Sequence, residues 1–140
     1  MGRETELFLF DIFVAIEKIK NVVSDFKSAD ELHFDFRSWD SVIREFEIIG
    51  EASRHLIKNE MLSKEYQIIV DFRNKITHEY FGIDQNIVWQ IAQNELKDIE
   101  EAIIKAISKV DYKLKIELIE GFMKDNNHLS FITDALNSLR

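Results

Sequence analysis

The sequence predicts an all-α fold, and three observations carry that prediction. Proline is absent, and glycine occurs only at Gly2, Gly50, Gly82 and Gly121. Hairpins and sandwiches need turn residues at frequent intervals, so a β architecture does not fit this scarcity. Apolar residues recur at steps of three and four along most of the chain, the period of helices with one buried face. Hydrophobic residues make up 46% and charged residues 31% of 140 residues, a globular mixture sufficient for one domain with one core.

The elements follow in order. Leu9, Ile12, Phe13, Ile16, Ile19, Val23 and Phe26 form one helical stripe, which predicts a first helix from about Thr5 to Phe26. The stretch from Lys27 to Asp35 reads as a connection with a short helical turn. A second long helix begins near Ser38, with Trp39, Val42, Ile43, Phe46, Ile49, Ser53 and Leu56 facing inward. Gly50 lies beside this stripe, where it weakens the helix by about 1 kcal/mol relative to alanine. Mid-helix glycine points to a close approach by another backbone.

A third helix covers roughly Ser63 to His78, with Tyr66, Ile69, Arg73 and Ile76 in one stripe. Gly82 suits a helix stop and Asp84 the N-cap of the next helix. That helix carries Ile87, Ile91, Ile99, Ile103, Ile107 and Val110, and an amphipathic segment follows from Asp111 to Met123. A short helix from Leu129 to Leu139 comes last. The expected organisation is a helical bundle over residues 1–110 and a C-terminal helical extension, 111–140, packed on the same domain.

Composition also narrows the function. With no cysteine there are no disulfides, thiolate metal sites or cysteine nucleophiles. The first residues carry two acids and no cleavable apolar run, and no apolar stretch approaches the ~20 residues that span a bilayer. A cytoplasmic protein without a membrane segment is expected. The net charge of −8 argues against a broad electrostatic footprint for nucleic acid, yet residues 61–80 hold three basic and three acidic side chains. A polyanion would therefore be handled at a small, focused site. His33, His55 and His128 lie in separate elements without metal-ligand spacing, so neither a metal nor a cofactor is expected. No phosphate-binding glycine loop, nucleophilic serine motif or dinucleotide fingerprint is present.

The segment Asp71-Phe72-Arg73-Asn74-Lys75-Ile76-Thr77-His78-Glu79-Tyr80-Phe81-Gly82 is the least generic part of the chain. Arg73 falls in an apolar stripe, where a permanent charge costs several kcal/mol unless it is paired or opens onto a polar cleft. Asn74 and His78 lie one helical turn apart and share a face. Histidine moves protons near neutral pH, arginine forks onto phosphate, and asparagine can orient either one. The set suits attack of a ribose 2′-hydroxyl on the adjacent phosphate, and a twofold dimer would supply a second histidine. On residues alone, a salt-bridged arginine and a half-buried structural histidine explain the same pattern. Glu51 is the candidate partner for Arg73; a surface salt bridge is the plainer reading of that carboxylate.

The ordered set resembles the HepT branch of the HEPN proteins. Arg73, His78 and Tyr80 reproduce its Arg-x4-His-x-Tyr signature, with Asn74 after the arginine. Trp39-Asp40-Ser41-Val42-Ile43-Arg44 with Ile48-Ile49-Gly50-Glu51-Ala52-Ser53 is similar to that family's second-helix signature. Tyr80-Phe81-Gly82-Ile83-Asp84 with Val88-Trp89 is similar to its exit from the motif helix. The resemblance covers about residues 7–107. It implies an up-and-down four-helix bundle that forms a symmetric homodimer. It also implies a toxin of a toxin–antitoxin pair, a metal-independent endoribonuclease with Arg73 and His78 as its catalytic pair and Asn74 supporting them. The implied partner is a nucleotidyltransferase antitoxin of the Mnt type, which silences the toxin by adenylylation of Tyr80. HEPN domains also serve as non-catalytic helical modules that pair with nucleotidyltransferases, and this second reading stands beside the first.

Overall fold

The computed structural model describes residues 3–78 and 82–140, and every regular element among them is helical. Helix α1 spans Arg3–Val23, α2 Ala29–Phe34 and α3 Phe36–Lys58. A 3-10 turn over Lys64–Tyr66 leads into α4, Gln67–His78. After Gly82, α5 (Gln85–Gln90) continues through a π-helical turn (Ile91–Glu95) into α6, Leu96–Ser108. Last come α7, Tyr112–Asp125, and α8, Ser130–Asn137. No described helix is long and apolar enough to cross a membrane.

Local capping explains where these elements begin. Asp35 ends α2, its N–H donating to the Leu32 carbonyl, and starts α3, its carboxylate accepting from the Ser38 N–H at 3.5 Å. Helix α3 therefore opens at Phe36 rather than Ser38. The same shared cap turns Phe34 and Phe36 outward, 79% and 67% exposed, as exceptions to the buried phenylalanines. Ser63 accepts from the Glu65 N–H at 3.3 Å and tightens the first turn, so α4 proper begins at Gln67. Asp84 caps α5 by accepting from the Asn86 N–H at 2.8 Å, as its position after Gly82 indicates.

The π turn corrects one part of the expected pattern. Val88, not Ile87, is buried, in line with Leu96, Ile99, Ile103 and Ile107, whereas Ile87 is 40% exposed. In a regular α-helix, Val88 and Leu96 would stand about 80° apart. The π turn absorbs one extra residue and brings them to about 20°, onto one face.

Helix α1 packs against α3, α6, α7 and α8. Besides Leu9, Ile12, Phe13, Ile16 and Ile19, it buries Phe10, Val14 and Ala15, which lie off the single stripe read from the sequence. The C-terminal helices cover that second face: the Phe10 and Phe122 rings lie 5.5 Å apart, and Leu118, Ile119, Ile132 and Leu136 join the same core. Helices α3 and α4 come into close contact at Gly50. A Cβ there would overlap the Arg73 Cβ, lie 2.6 Å from its Cγ and 3.2 Å from the Ile69 carbonyl oxygen. The missing side chain of Gly50 is the space in which the Arg73 stem lies.

Candidate functional site

Helix α4 carries Ile69, Val70, Phe72 and Ile76 on its buried side, and Phe72 meets Phe46 of α3 edge-on at 5.4 Å. This anchoring sets Arg73 at the boundary between core and solvent, with 30% of its side chain exposed. From there its guanidinium reaches two partners. Nη2 pairs with Glu51 Oε2 at 3.4 Å, and Nη1 donates to Asn74 Oδ1 at 3.1 Å. Nε is buried and has no hydrogen-bond partner among the described residues. An unmet buried donor is unfavourable by about 1–3 kcal/mol.

The Asn74 amide oxygen is thus engaged by Arg73, not by His78, although the helix places Asn74 and His78 on one face. His78 is the last residue of α4, exposed and without a polar partner among the described residues. Thr77, its neighbour, donates its hydroxyl to the Arg73 carbonyl at 3.0 Å and closes the final turn. Tyr80, the third member of the signature, lies outside the described residues.

Glu51 sits at the centre of a charged cluster on α3. Its Oε1 accepts from Arg54 Nη2 at 2.8 Å and lies 3.4 Å from His55 Nε2, while Oε2 faces Arg73. The hydrogen bond from Arg54 holds the Glu51 carboxyl below its ordinary range; burial opposes it, and the charges of Arg54, Arg73 and His55 add to the lowering. Glu51 therefore makes both kinds of contact: the bridge to Arg54 is local to α3, and the one to Arg73 joins two helices. The His55 ring stacks on Phe8 of α1, centroids 4.5 Å apart and planes 3° from parallel.

A cleft of about 260 Å³ opens beside Arg73, lined by Phe8, Asp11, Arg44, Glu47 and Glu51 among others. Around it three arginines (44, 54 and 73) face three carboxylates (11, 47 and 51), a local balance quite unlike the chain's net −8. A second groove, about 370 Å³, runs on the far side of Glu47, along Trp39, Ile43, Ile76 and Thr77. A wider cavity, about 790 Å³, is lined by neither Arg73 nor His78. It presents Glu60, Glu65, Glu95, Asp98 and Glu101 against Lys105 and Lys109, a field that repels a polyanion. Size and chemistry disagree here, and charge favours the smaller cleft. No cluster of three metal-ligating His, Asp or Glu side chains exists among the described residues.

Burial raises the Asp11 carboxyl above its ordinary value. A carboxyl raised in the fold holds its proton more tightly folded than unfolded, so its contribution is full below the unfolded pKa and fades as pH rises through the folded value. Asp11→Asn should accordingly flatten the dependence of Tm on pH in the range just above the ordinary aspartate value of about 3.9. Thermal melts across that range check it; an unchanged slope would remove Asp11 as a contributor.

The sequence profile of the family described as Ribonuclease HepT-like matches residues 12–106, more than half of the chain. The chain belongs to the HepT-like ribonuclease family. Among relatives of this HepT-like chain, a Methanocaldococcus jannaschii protein named provisionally as an RNase is 34% identical over 117 residues, covering 78% of this chain and 94% of the relative. Another from the same organism, named likewise, is 34% identical over 107 residues, 72% of this chain and 94% of the relative. A Thermococcus cleftensis protein named as a probable ribonuclease HepT is 32% identical over 104 residues, 71% and 93% of the two chains. No solved structure matches the chain significantly.

Sequence reasoning singled out Arg73, Asn74, His78 and Glu51 in this HepT-like chain but passed over Phe8, Arg54 and His55. The local signal for two of them was present: Arg54 and His55 stand three and four residues after Glu51, the spacing at which side chains meet on a helix. Phe8 carried no such signal, because only the packing of α1 on α3 brings it to the cleft.

Proposed function

We propose that this chain is the toxin of a HEPN/MNT-type toxin–antitoxin pair, an endoribonuclease that needs no metal. One observation carries the reading: the Arg73 guanidinium is held at the rim of a cleft with Nε unpartnered, and the exposed His78 ends the same helix. In the reaction, the ribose 2′-oxygen bonds to the adjacent phosphorus and the bond to the 5′-oxygen breaks, leaving a 2′,3′-cyclic phosphate and a 5′-hydroxyl. The 2′-hydroxyl proton must leave and the 5′-oxygen must gain one, and an imidazole serves either transfer. His78 is assigned this role. Arg73 binds the phosphate and stabilises the charge that grows on its oxygens. Asn74, hydrogen-bonded to Arg73, orients it. A homodimer bringing two α4 helices together would place two His78 side chains at one site, one for each proton transfer.

The off switch in this reading is adenylylation of Tyr80 by a Mnt-type nucleotidyltransferase antitoxin in the cytoplasm. A phosphodiester and a nucleoside added two residues along the chain from His78 would add negative charge and bulk that repel an RNA phosphate. Residues 1–110 form the catalytic bundle and 111–140 an extension of the same domain, whose α7 and α8 brace α1. The acidity of the chain favours a second reading, a non-catalytic module that binds a nucleotidyltransferase.

RNA cleavage in EDTA, followed with the intact mass of protein expressed alone and with its nucleotidyltransferase neighbour, separates the two. The toxin reading expects 2′,3′-cyclic phosphate ends from the unmodified chain, and a mass gain of AMP on a Tyr80 peptide with loss of cleavage after co-expression. A folded dimer that neither cleaves nor gains mass would establish the binding module instead.

A further inference from the structure

We infer that Glu51 is the positioning residue for Arg73, and that Arg54 holds Glu51 back from neutralising it. This rests on the catalytic assignment of Arg73 and gives a role to a residue outside the Arg-x4-His-x-Tyr element.

The geometry is asymmetric. Glu51 makes its tight contact with Arg54, 2.8 Å, and a looser one with Arg73, 3.4 Å. His55 Nε2, fixed by the stack of its ring on Phe8, lies 3.4 Å from the same oxygen that Arg54 uses. One carboxylate oxygen is thus taken by two groups of its own helix, and only the other faces α4. A carboxylate engaged this way can steer a guanidinium without closing it off. Were Glu51 free to form a full two-pronged pair, it would occupy the fork that a phosphate needs.

Three constraints then define the arginine. Its stem lies in the space left by Gly50, Asn74 takes one terminal nitrogen, and Glu51 faces the other. These contacts fix the direction of the guanidinium, while Nε is buried without a partner among the described residues. Asp11, Arg44 and Glu47 also face this cleft from α1 and α3. Their charges offset rather than replace the Glu51–Arg73 contact, because none of them pairs with the Arg73 guanidinium at salt-bridge distance.

Two variants give opposite signatures. Glu51→Ala should lower kcat for a single-stranded RNA oligonucleotide by roughly 10- to 100-fold with little change in KM, the penalty for a misplaced catalytic group. Glu51→Gln keeps an acceptor and should recover all but a few-fold of that loss. Arg54→Ala should act on KM: with its tighter partner gone, Glu51 turns to Arg73, competes with phosphate and raises KM several-fold while kcat is held. Both side chains are substantially exposed, 39% and 49%, so folding is not at stake. The Arg73 Nε–Hε signal in NMR provides a readout independent of turnover. It should be sharp in wild type and Glu51→Gln and broadened in Glu51→Ala.

Wild-type kcat and an unchanged Arg73 signal in Glu51→Ala would reduce Glu51 to a surface ion pair and overturn the inference. Equal inactivity of Glu51→Gln and Glu51→Ala would overturn it differently, by making the carboxylate itself a proton carrier. Should wild type fail to cleave any RNA, the ribonuclease reading falls, while the NMR comparison still decides whether Glu51 orders Arg73.

Discussion

Alanine at Arg73 or at His78 is expected to reduce RNA cleavage by about two to four orders of magnitude, the range for losing a general acid–base or a preorganised charge at the reacting phosphate. The double variant should be little worse than either single one, because groups acting in one step are not additive. The structure makes this a test of chemistry rather than of folding. His78 is exposed and unpartnered among the described residues, so its truncation should alter stability by no more than about 0.5 kcal/mol. Arg73→Ala removes a buried, unmet Nε and leaves Glu51 paired with Arg54 and His55. No uncompensated carboxylate is created. Cleavage rates measured beside circular dichroism and sizing of each variant check the result. Undiminished cleavage by both folded variants would remove them from the mechanism.

Gly50→Ala should destabilise this chain although alanine is the better helix former. A helix interior ordinarily gains about 1 kcal/mol from that exchange. Here the new Cβ overlaps the Arg73 Cβ, which sits on the α4 backbone and cannot swing aside, and lies 3.2 Å from the Ile69 carbonyl oxygen. Only a displacement of α4 from α3 relieves the overlap, and overpacking of this kind destabilises by about 1–3 kcal/mol. The expected outcome is a lower Tm despite the better helix former, together with loss of cleavage, since the same shift carries Arg73 away from Glu51 and the cleft. Alanine at Gly121, where an added Cβ meets nothing within 4 Å, is the control and should raise Tm slightly. A Gly50→Ala protein as stable and active as wild type would mean that α3 and α4 do not cross at this point.

Much of the fold was readable because helices announce themselves locally. The apolar period, Asp84 as a cap, and Gly50 as an anomaly all rest on spacings within one or two turns. Where boundaries shifted, the cause was equally local but finer than the period. The doubled cap at Asp35 moved the start of α3, and one extra residue in the π turn moved burial from Ile87 to Val88. The candidate site was less readable. A basic residue in an apolar stripe marked Arg73, yet whether Glu51 met it was a question about two helices 22 positions apart, to which periodicity has no answer.

By itself the sequence determined the helices, the presence of a charge where a core residue belongs, and membership of a ribonuclease family through an ordered set of motifs. Only the tertiary structure decided that α1 is buried on two faces, that Arg73 lies in the space left by Gly50, and that Glu51 divides its two oxygens between Arg54 and Arg73. The reason is physical. Helix formation depends on hydrogen bonds four residues apart and on a stripe that any partner could cover. The direction of a guanidinium depends on which neighbouring helix supplies the space and which supplies the charge, and those neighbours are chosen when the whole core packs.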